Sequence, residues 1–174
     1  FCHLIGFNMI SAIIQARVGS TRLANKVFSE IEGKPLLWHV VNRLKKSKYL
    51  DTIIIATTIN INDDKIEDWA KANKVKCYRG SEENVLKRYH DAAKHFKSKT
   101  IVRITADDPF KDYQIMDEVI ELFNKKNVDL ACNNHPPTFP EGIDIEVFSF
   151  NAIQKAMKNS ITDIEKEHVT QYFY

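Results

Sequence analysis

Cysteine is scarce: Cys2, Cys77 and Cys132 are all that 174 residues hold, an odd number set far apart. That spacing argues against a disulfide framework and against a zinc cluster, and makes a reducing, cytoplasmic setting the default expectation. Long apolar runs are lacking too. No stretch approaches the roughly 20 residues a bilayer-crossing helix needs, so no membrane partner is expected. Charge of one sign is not in excess either: 25 Lys and Arg against 23 Asp and Glu leave a net +2, and basic residues mostly alternate with acids. Such a balance does not suggest a nucleic-acid surface. Residues 1–8 are apolar but carry no basic leader, long hydrophobic region or small-residue cleavage site, and read as an N-terminal extension ahead of Met9. There is no repeat, low-complexity tract or linker, and the length suits a single domain over 9–174.

What is present is an alternation of short β-branched runs with amphipathic segments, the pattern of an α/β sheet with helices on its faces. The runs Ile10–Ala16, Thr52–Thr57, Val75–Tyr78, Thr100–Thr105 and Val128–Ala131 are expected strands. Pro35 suits the first turn of a helix with Leu37, Val40, Val41 and Leu44 on one face, and Asp63 can cap one carrying Ile66, Trp69 and Ala70. Ser81 can cap a helix with Val85, Tyr89, Ala92 and Phe96 inward, and Asp112 one with Ile115, Val119, Leu122 and Phe123 inward. Residues 133–142 are turn-forming throughout, and a loop of that length is more often functional than idle. In Ile143–Phe148, Ile143, Ile145 and Val147 alternate with Asp144, Glu146 and Phe148 as in a half-exposed strand. Thr162-Asp163-Ile164-Glu165 reads as a capping box opening a last helix.

Two clusters carry chemistry. The first strand runs into Gln15-Ala16-Arg17-Val18-Gly19-Ser20-Thr21-Arg22-Leu23-Ala24-Asn25-Lys26. A polyphosphate needs close backbone approach, hydrogen-bond donors and positive charge together; Gly19, Ser20 with Thr21, and Arg17, Arg22 and Lys26 supply these in turn. This is not a Walker A loop, since Asn25 precedes Lys26 and Val27 follows it, and no G-x-G-x-x-G fingerprint accompanies it. The second cluster is Ala106-Asp107-Asp108-Pro109, directly beyond the strand Thr100–Thr105. Adjacent carboxylates at a strand's carboxyl edge lie where open α/β sheets bind ligands, and suit magnesium, which keeps most of its waters and takes phosphate oxygens. On one sheet edge, the two clusters make a metal–nucleotide site.

With Gly33-Lys34-Pro35-Leu36, Ala56-Thr57-Thr58, Arg79-Gly80-Ser81, Arg103-Ile104-Thr105-Ala106-Asp107-Asp108-Pro109, Gly142-Ile143-Asp144-Ile145-Glu146-Val147-Phe148 and Glu167-His168-Val169-Thr170 in this order, the sequence from Met9 onward resembles the SpsF-type cytidylyltransferases. These are named for spore coat polysaccharide biosynthesis and are similar to CMP-sugar-acid synthetases. The resemblance implies a three-layer, Rossmann-like nucleotidyltransferase (GT-A-like) α/β fold with a mostly parallel sheet. It also implies CTP and a sugar or sugar acid as substrates, Mg2+ as cofactor and a possible homodimer. By position it gives Arg17, Gly19, Ser20, Arg22 and Lys26, with Ala16 and Thr21 in the same loop, to the triphosphate, and Asp107, with Asp108 beside it, to the metal. Thr57, Thr58, Arg79 and Ser81 match stretches near the nucleoside; Asp144, Glu146 and His168 are matched to the sugar, the two acids also to a second metal.

The chain departs from the family pattern at three places. Ala24-Asn25 stands where Pro-Gly is usual before Lys26, although Asn tolerates a positive φ. Ala106 replaces a usual Gly, and Asp108 a usual Cys or Asn. The resemblance also implies that relatives run well past Tyr174. A glycosyltransferase using a nucleotide sugar and a non-catalytic nucleotide-binding module are the alternatives.

Overall fold

The structure, a computed structural model, describes residues 8–19, 23 and 25–174. Ser20, Thr21, Arg22 and Ala24, with all but the last residue of the expected N-terminal extension, lie outside the described residues.

Among the described residues, eight strands and six α-helices follow one another: β1 (Ile10–Gln15), β2 (Glu30–Ile31), β3 (Lys34–Pro35), α1 (Leu36–Leu44), β4 (Thr52–Thr58), α2 (Asp64–Ala72), β5 (Lys76–Gly80), α3 (Val85–His95), β6 (Thr100–Thr105), α4 (Tyr113–Lys126), β7 (Leu130–Cys132), β8 (Glu146–Ser149), α5 (Phe150–Asn159) and α6 (Asp163–Glu167). β2 and β3 form a separate hairpin, and the other six strands form one sheet in the order β5-β4-β1-β6-β8-β7. β1, β4, β5 and β6 are mutually parallel, while β8 runs antiparallel to both β6 and β7. The strand order reverses direction at β1, which pairs with β4 on one side and β6 on the other. A crevice between the carboxyl ends of β1 and β6 is therefore where such a sheet binds a ligand.

Each face of the sheet is covered. Ile14, Ile55, Val102 and Val147 pack with α1, α2 and α4 through Leu37, Val40, Ile66, Met116 and Ile120. Ile13, Ile54, Ile101 and Phe148 pack with α3 and α5 through Leu86, Tyr89, Ala92 and Ile153. Successive strand residues thus enter opposite cores, which is why the strands read as continuous apolar runs. Tyr89 is fully buried and its hydroxyl donates to Ile13 O and Ile104 O, both at 3.0 Å, tying β1 to β6 beneath the crevice.

Several local expectations shift. Asn84, not Ser81, caps α3, accepting from Lys87 N at 2.7 Å; Ser81 Oγ accepts from Asn84 N at 3.0 Å and closes the turn before the helix. Asp63 precedes α2 but makes no cap hydrogen bond, because its carboxylate turns into the protein. Pro35 stands at the N-cap of α1, one residue earlier than the first turn. Asp112 caps α4 and the Thr162/Glu165 capping box opens α6, as expected. α4 buries Met116, Val119, Ile120 and Phe123, leaving Leu122 44 % exposed. The segment 143–148 is not half-exposed: Ile145, Glu146, Val147 and Phe148 are all buried, since helices cover both faces of β8.

Candidate active site

The loop after β1 is held from below by a residue the sequence suggested only as a helix cap. Asp63, 3 % exposed, accepts from Val18 N at 2.7 Å through Oδ1 and from the Thr58 hydroxyl through Oδ2. Thr58 is thereby committed to the loop's support. Thr57 is equally buried, and its Oγ1 has no hydrogen-bond partner among the described residues. Further along, Asn25 adopts the left-handed conformation, φ 60° and ψ 19°, a backbone state open to few residues besides Gly and Asn. Its N–H donates to Val18 O at 3.1 Å, folding the loop back so that Lys26 leaves it toward β6. Gly19 needs no special backbone angle, and among the described residues no atom would lie within 4 Å of a Cβ there.

Lys26 Nζ meets Asp107 Oδ2 at 3.1 Å, joining the loop after β1 to the acid pair after β6 across the reversal point of the sheet. Both side chains keep partial access to water, 36 % and 44 %. Asp108 points elsewhere. Its Oδ2 accepts from Thr105 Oγ1 at 2.5 Å and pairs with Lys111 Nζ at 3.0 Å, and Lys111, 2 % exposed, also donates to Asp144 O at 2.8 Å. The adjacent acids so divide their work: Asp107 faces the phosphate-type loop, and Asp108 neutralises a buried ammonium. Among the described residues no three His, Cys, Asp or Glu side chains form a metal-binding group.

An open cleft of about 1100 Å³ reaches the carboxyl end of β1 at Gln15, Ala16 and Arg17; Lys26, Asp107 and Asp108 do not line it. Of the residues expected in the site, Ala16, Arg17, Ser81 and His168 line it. Gln15, Tyr78, Lys87, Arg88, Asp91, Arg103 and Glu167 line it as well, and none of these seven was expected there. Arg79 is turned to the opposite side of β5. Its Nε donates to Thr58 O at 3.0 Å, and its terminal nitrogens meet Asn60 O, Glu67 and Asp64 at 2.7–2.9 Å. It clasps β4 to α2, and its charge is spent there.

Glu146 is also engaged from within. It is 4 % exposed, pairs with Arg103 Nη1 at 2.5 Å, and accepts from Thr170 Oγ1 at 2.7 Å and Tyr174 Oη at 3.1 Å. Burial alone pushes its carboxyl up, but Arg103 and these hydroxyl donors outweigh that and hold it below the ordinary glutamate value. The motif Glu167-His168-Val169-Thr170 therefore splits by role: Val169 and Thr170 are buried and anchored, leaving Glu167 and His168 exposed at the cleft wall. Asp144 is half-buried, and its backbone carbonyl holds Lys111. None of residues 133–142 lines the cleft. Asn133 braces that loop through Ile145 N and Ile143 O.

The family model described as Cytidylyltransferase matches residues 11–174. The chain belongs to the cytidylyltransferase family. It is 34 % identical over 170 residues to the spore coat polysaccharide biosynthesis protein SpsF of Bacillus subtilis, covering 95 % of this chain and 70 % of that one. A 3-deoxy-manno-octulosonate cytidylyltransferase of Nitratidesulfovibrio vulgaris is 31 % identical over 124 residues, covering 68 % of this chain and 48 % of that one. Among solved structures, a cytidylyltransferase from Leptospira borgpetersenii superposes with a TM-score of 0.88 at 36 % identity, covering 94 % of this chain and 69 % of that one. The SpsF-type resemblance and the Rossmann-like nucleotidyltransferase fold both stand for this cytidylyltransferase. Among the described residues no helix is long and apolar enough to cross a membrane.

Proposed function

We propose that this cytidylyltransferase transfers CMP from CTP to a sugar or sugar acid with release of pyrophosphate, as a step of surface polysaccharide synthesis in the cytoplasm. The observation that carries the reading is the meeting of Lys26 and Asp107 across the reversal point of the sheet, on the same β1 loop whose Arg17 lines the cleft. A cationic loop and a water-accessible carboxylate at that place suit a triphosphate better than a diphosphate sugar, which favours cytidylyl transfer over glycosyl transfer.

In this mechanism a hydroxyl oxygen of the acceptor attacks the α-phosphorus in line, its proton leaves to water, and the bond to the pyrophosphate oxygen breaks. Negative charge grows on the leaving pyrophosphate. Arg17 and Lys26 stabilise it as fixed cations, with Arg22, Gly19, Ser20 and Thr21 completing the loop's grip. Lys26 does so by exchanging Asp107 for phosphate oxygens. Asp107 would hold a divalent cation: an exposed carboxylate with few other protein donors near it suits magnesium. Bound there, magnesium supplies charge neutralisation on the phosphates. Asp108 gives its Oδ2 to Lys111 and Thr105, so its larger part is to keep Lys111 and the strand end in place. Ala16 and Ser81 contribute cleft wall to the nucleoside, and Thr57 and Thr58 support that wall from the core. Glu167 and His168 at the cleft wall, together with Asp144, are the groups offered to the acceptor, with Glu146 positioning the segment that bears the first two.

A pyrophosphate-release assay with the full chain, CTP, magnesium and a panel of sugars and sugar acids tests this. Release that requires CTP, magnesium and one acceptor class is expected; no release with any acceptor would refute the reading.

A further inference from the structure

The cleft contains a cation that neither the loop chemistry nor the acid pair accounts for. Arg88 lies on α3 with 2 % of its surface exposed, and it lines the cleft. A buried guanidinium is normally paired with a carboxylate, since taking its charge out of water costs several kcal/mol. Among the described residues, Arg88 donates only to neutral backbone carbonyls, Ser81 O at 2.5 Å and Glu82 O at 3.5 Å, and its buried Nε–H has no acceptor. Burial is the main influence lowering its basicity and the charge of Arg17 adds to it, while Tyr89, Asp63 and Glu82 oppose them.

The backbone beneath is shaped to admit this side chain. A Cβ on Gly80 would stand 3.1 Å from Arg88 Cγ and 3.1 Å from Tyr78 Cε1, tighter than ordinary contact. Glycine at the end of β5 thus leaves the slot along which the Arg88 stem runs to the cleft. The fold holds a charged group in a dry position and leaves a donor unmet, an expense that a bound anion would recover.

We infer that Arg88 is an anion-binding residue of this cleft, receiving a phosphate or carboxylate oxygen of the ligand beside Arg17. The assignment of that oxyanion to CTP or to a sugar acid rests on the function proposed above; the anion site itself does not. Arg88→Met and Arg88→Lys test it, each titrated by calorimetry with inorganic pyrophosphate and with CTP, and each assayed for acceptor KM where the parent turns over.

Arg88→Met should weaken binding in at least one arm by about 10- to 100-fold, the range of a lost charge-assisted hydrogen bond, with Arg88→Lys between it and the parent. Loss with pyrophosphate and CTP assigns the oxyanion to phosphate, and loss confined to acceptor KM assigns it to a carboxylate. Ligand-free Arg88→Met should melt no lower than the parent, because an unpaired buried charge has been removed, whereas a merely structural arginine would lower the melting temperature. Parent-like affinity of both variants in every arm would overturn the inference. If Arg88→Met does not fold, parent-like affinity of Arg88→Lys alone overturns it. A parent that binds pyrophosphate but not CTP refutes the nucleotide reading, and loss of pyrophosphate binding in the variants would still establish the anion site.

Discussion

Lys111 is an ammonium with 2 % exposure whose neutralising partner is Asp108, itself about a third exposed. Asp108→Asn should therefore act mainly on stability, costing about 1–3 kcal/mol by leaving the ammonium short of a counter-charge. Chemical denaturation of parent and variant checks this, and an unchanged midpoint would return Asp108 to a ligand-facing part. Sequence reading placed both acids in the right turn but could not separate them, because adjacent residues point apart and the partner that divides them, Lys111, reads as a surface lysine. Asp63 was legible as an acid before a helix. Its burial under the β1 loop depends on Val18 N and Thr58 Oγ1, which are 45 and 5 residues away and carry no shared pattern. Arg88 did leave a sequence signal: it stands three residues after Val85 and four before Ala92, on the inward face of an amphipathic helix.

At the scale of elements, β8 joins the sheet to the last segment of the chain through one carboxylate. Glu146 pairs with Arg103 in register across β6 and β8 and receives the hydroxyls of Thr170 and Tyr174. Its carboxyl is more acidic folded than unfolded, so the stabilisation is fully present above the ordinary glutamate range, about 4.3, and is lost as pH falls through the lowered folded value. Glu146→Gln should cost about 3 kcal/mol near neutrality, since it leaves the mostly covered Arg103 without its counter-charge. The variant's stability should also change less than the parent's between pH 6 and pH 3. Thermal melts across that range read this out; equal pH slopes would contradict it. The alternation in 143–148 was visible in the sequence, yet alternation suggests one wet face. The polar member Glu146 is buried instead, because Arg103 pairs with it from the next strand.

Over the whole molecule, the parallel strands and most helices were legible because their periods are set by which face is buried, a local consequence of the global layering. The sequence also led to the expectation that the β1 loop and the acid pair after β6 share one sheet edge; Lys26 and Asp107 meet there, whereas the strand order itself could not be read. What the sequence did not show is how cations and acids are apportioned. Arg79 clasps α2, Arg103 holds Glu146, Lys111 holds Asp108 and Lys26 meets Asp107, whereas Arg17 and Arg88 line the cleft.

The central claim is that the β1 loop and Asp107 together grip a triphosphate. Calorimetric titration of CTP into the parent and into Asp107→Asn, each with and without magnesium, tests it most directly. Tight binding by the parent that depends on magnesium, and an affinity for Asp107→Asn that magnesium no longer improves, is the predicted result. A parent that fails to bind CTP, or an Asp107→Asn variant that gains as much from magnesium as the parent does, would contradict it.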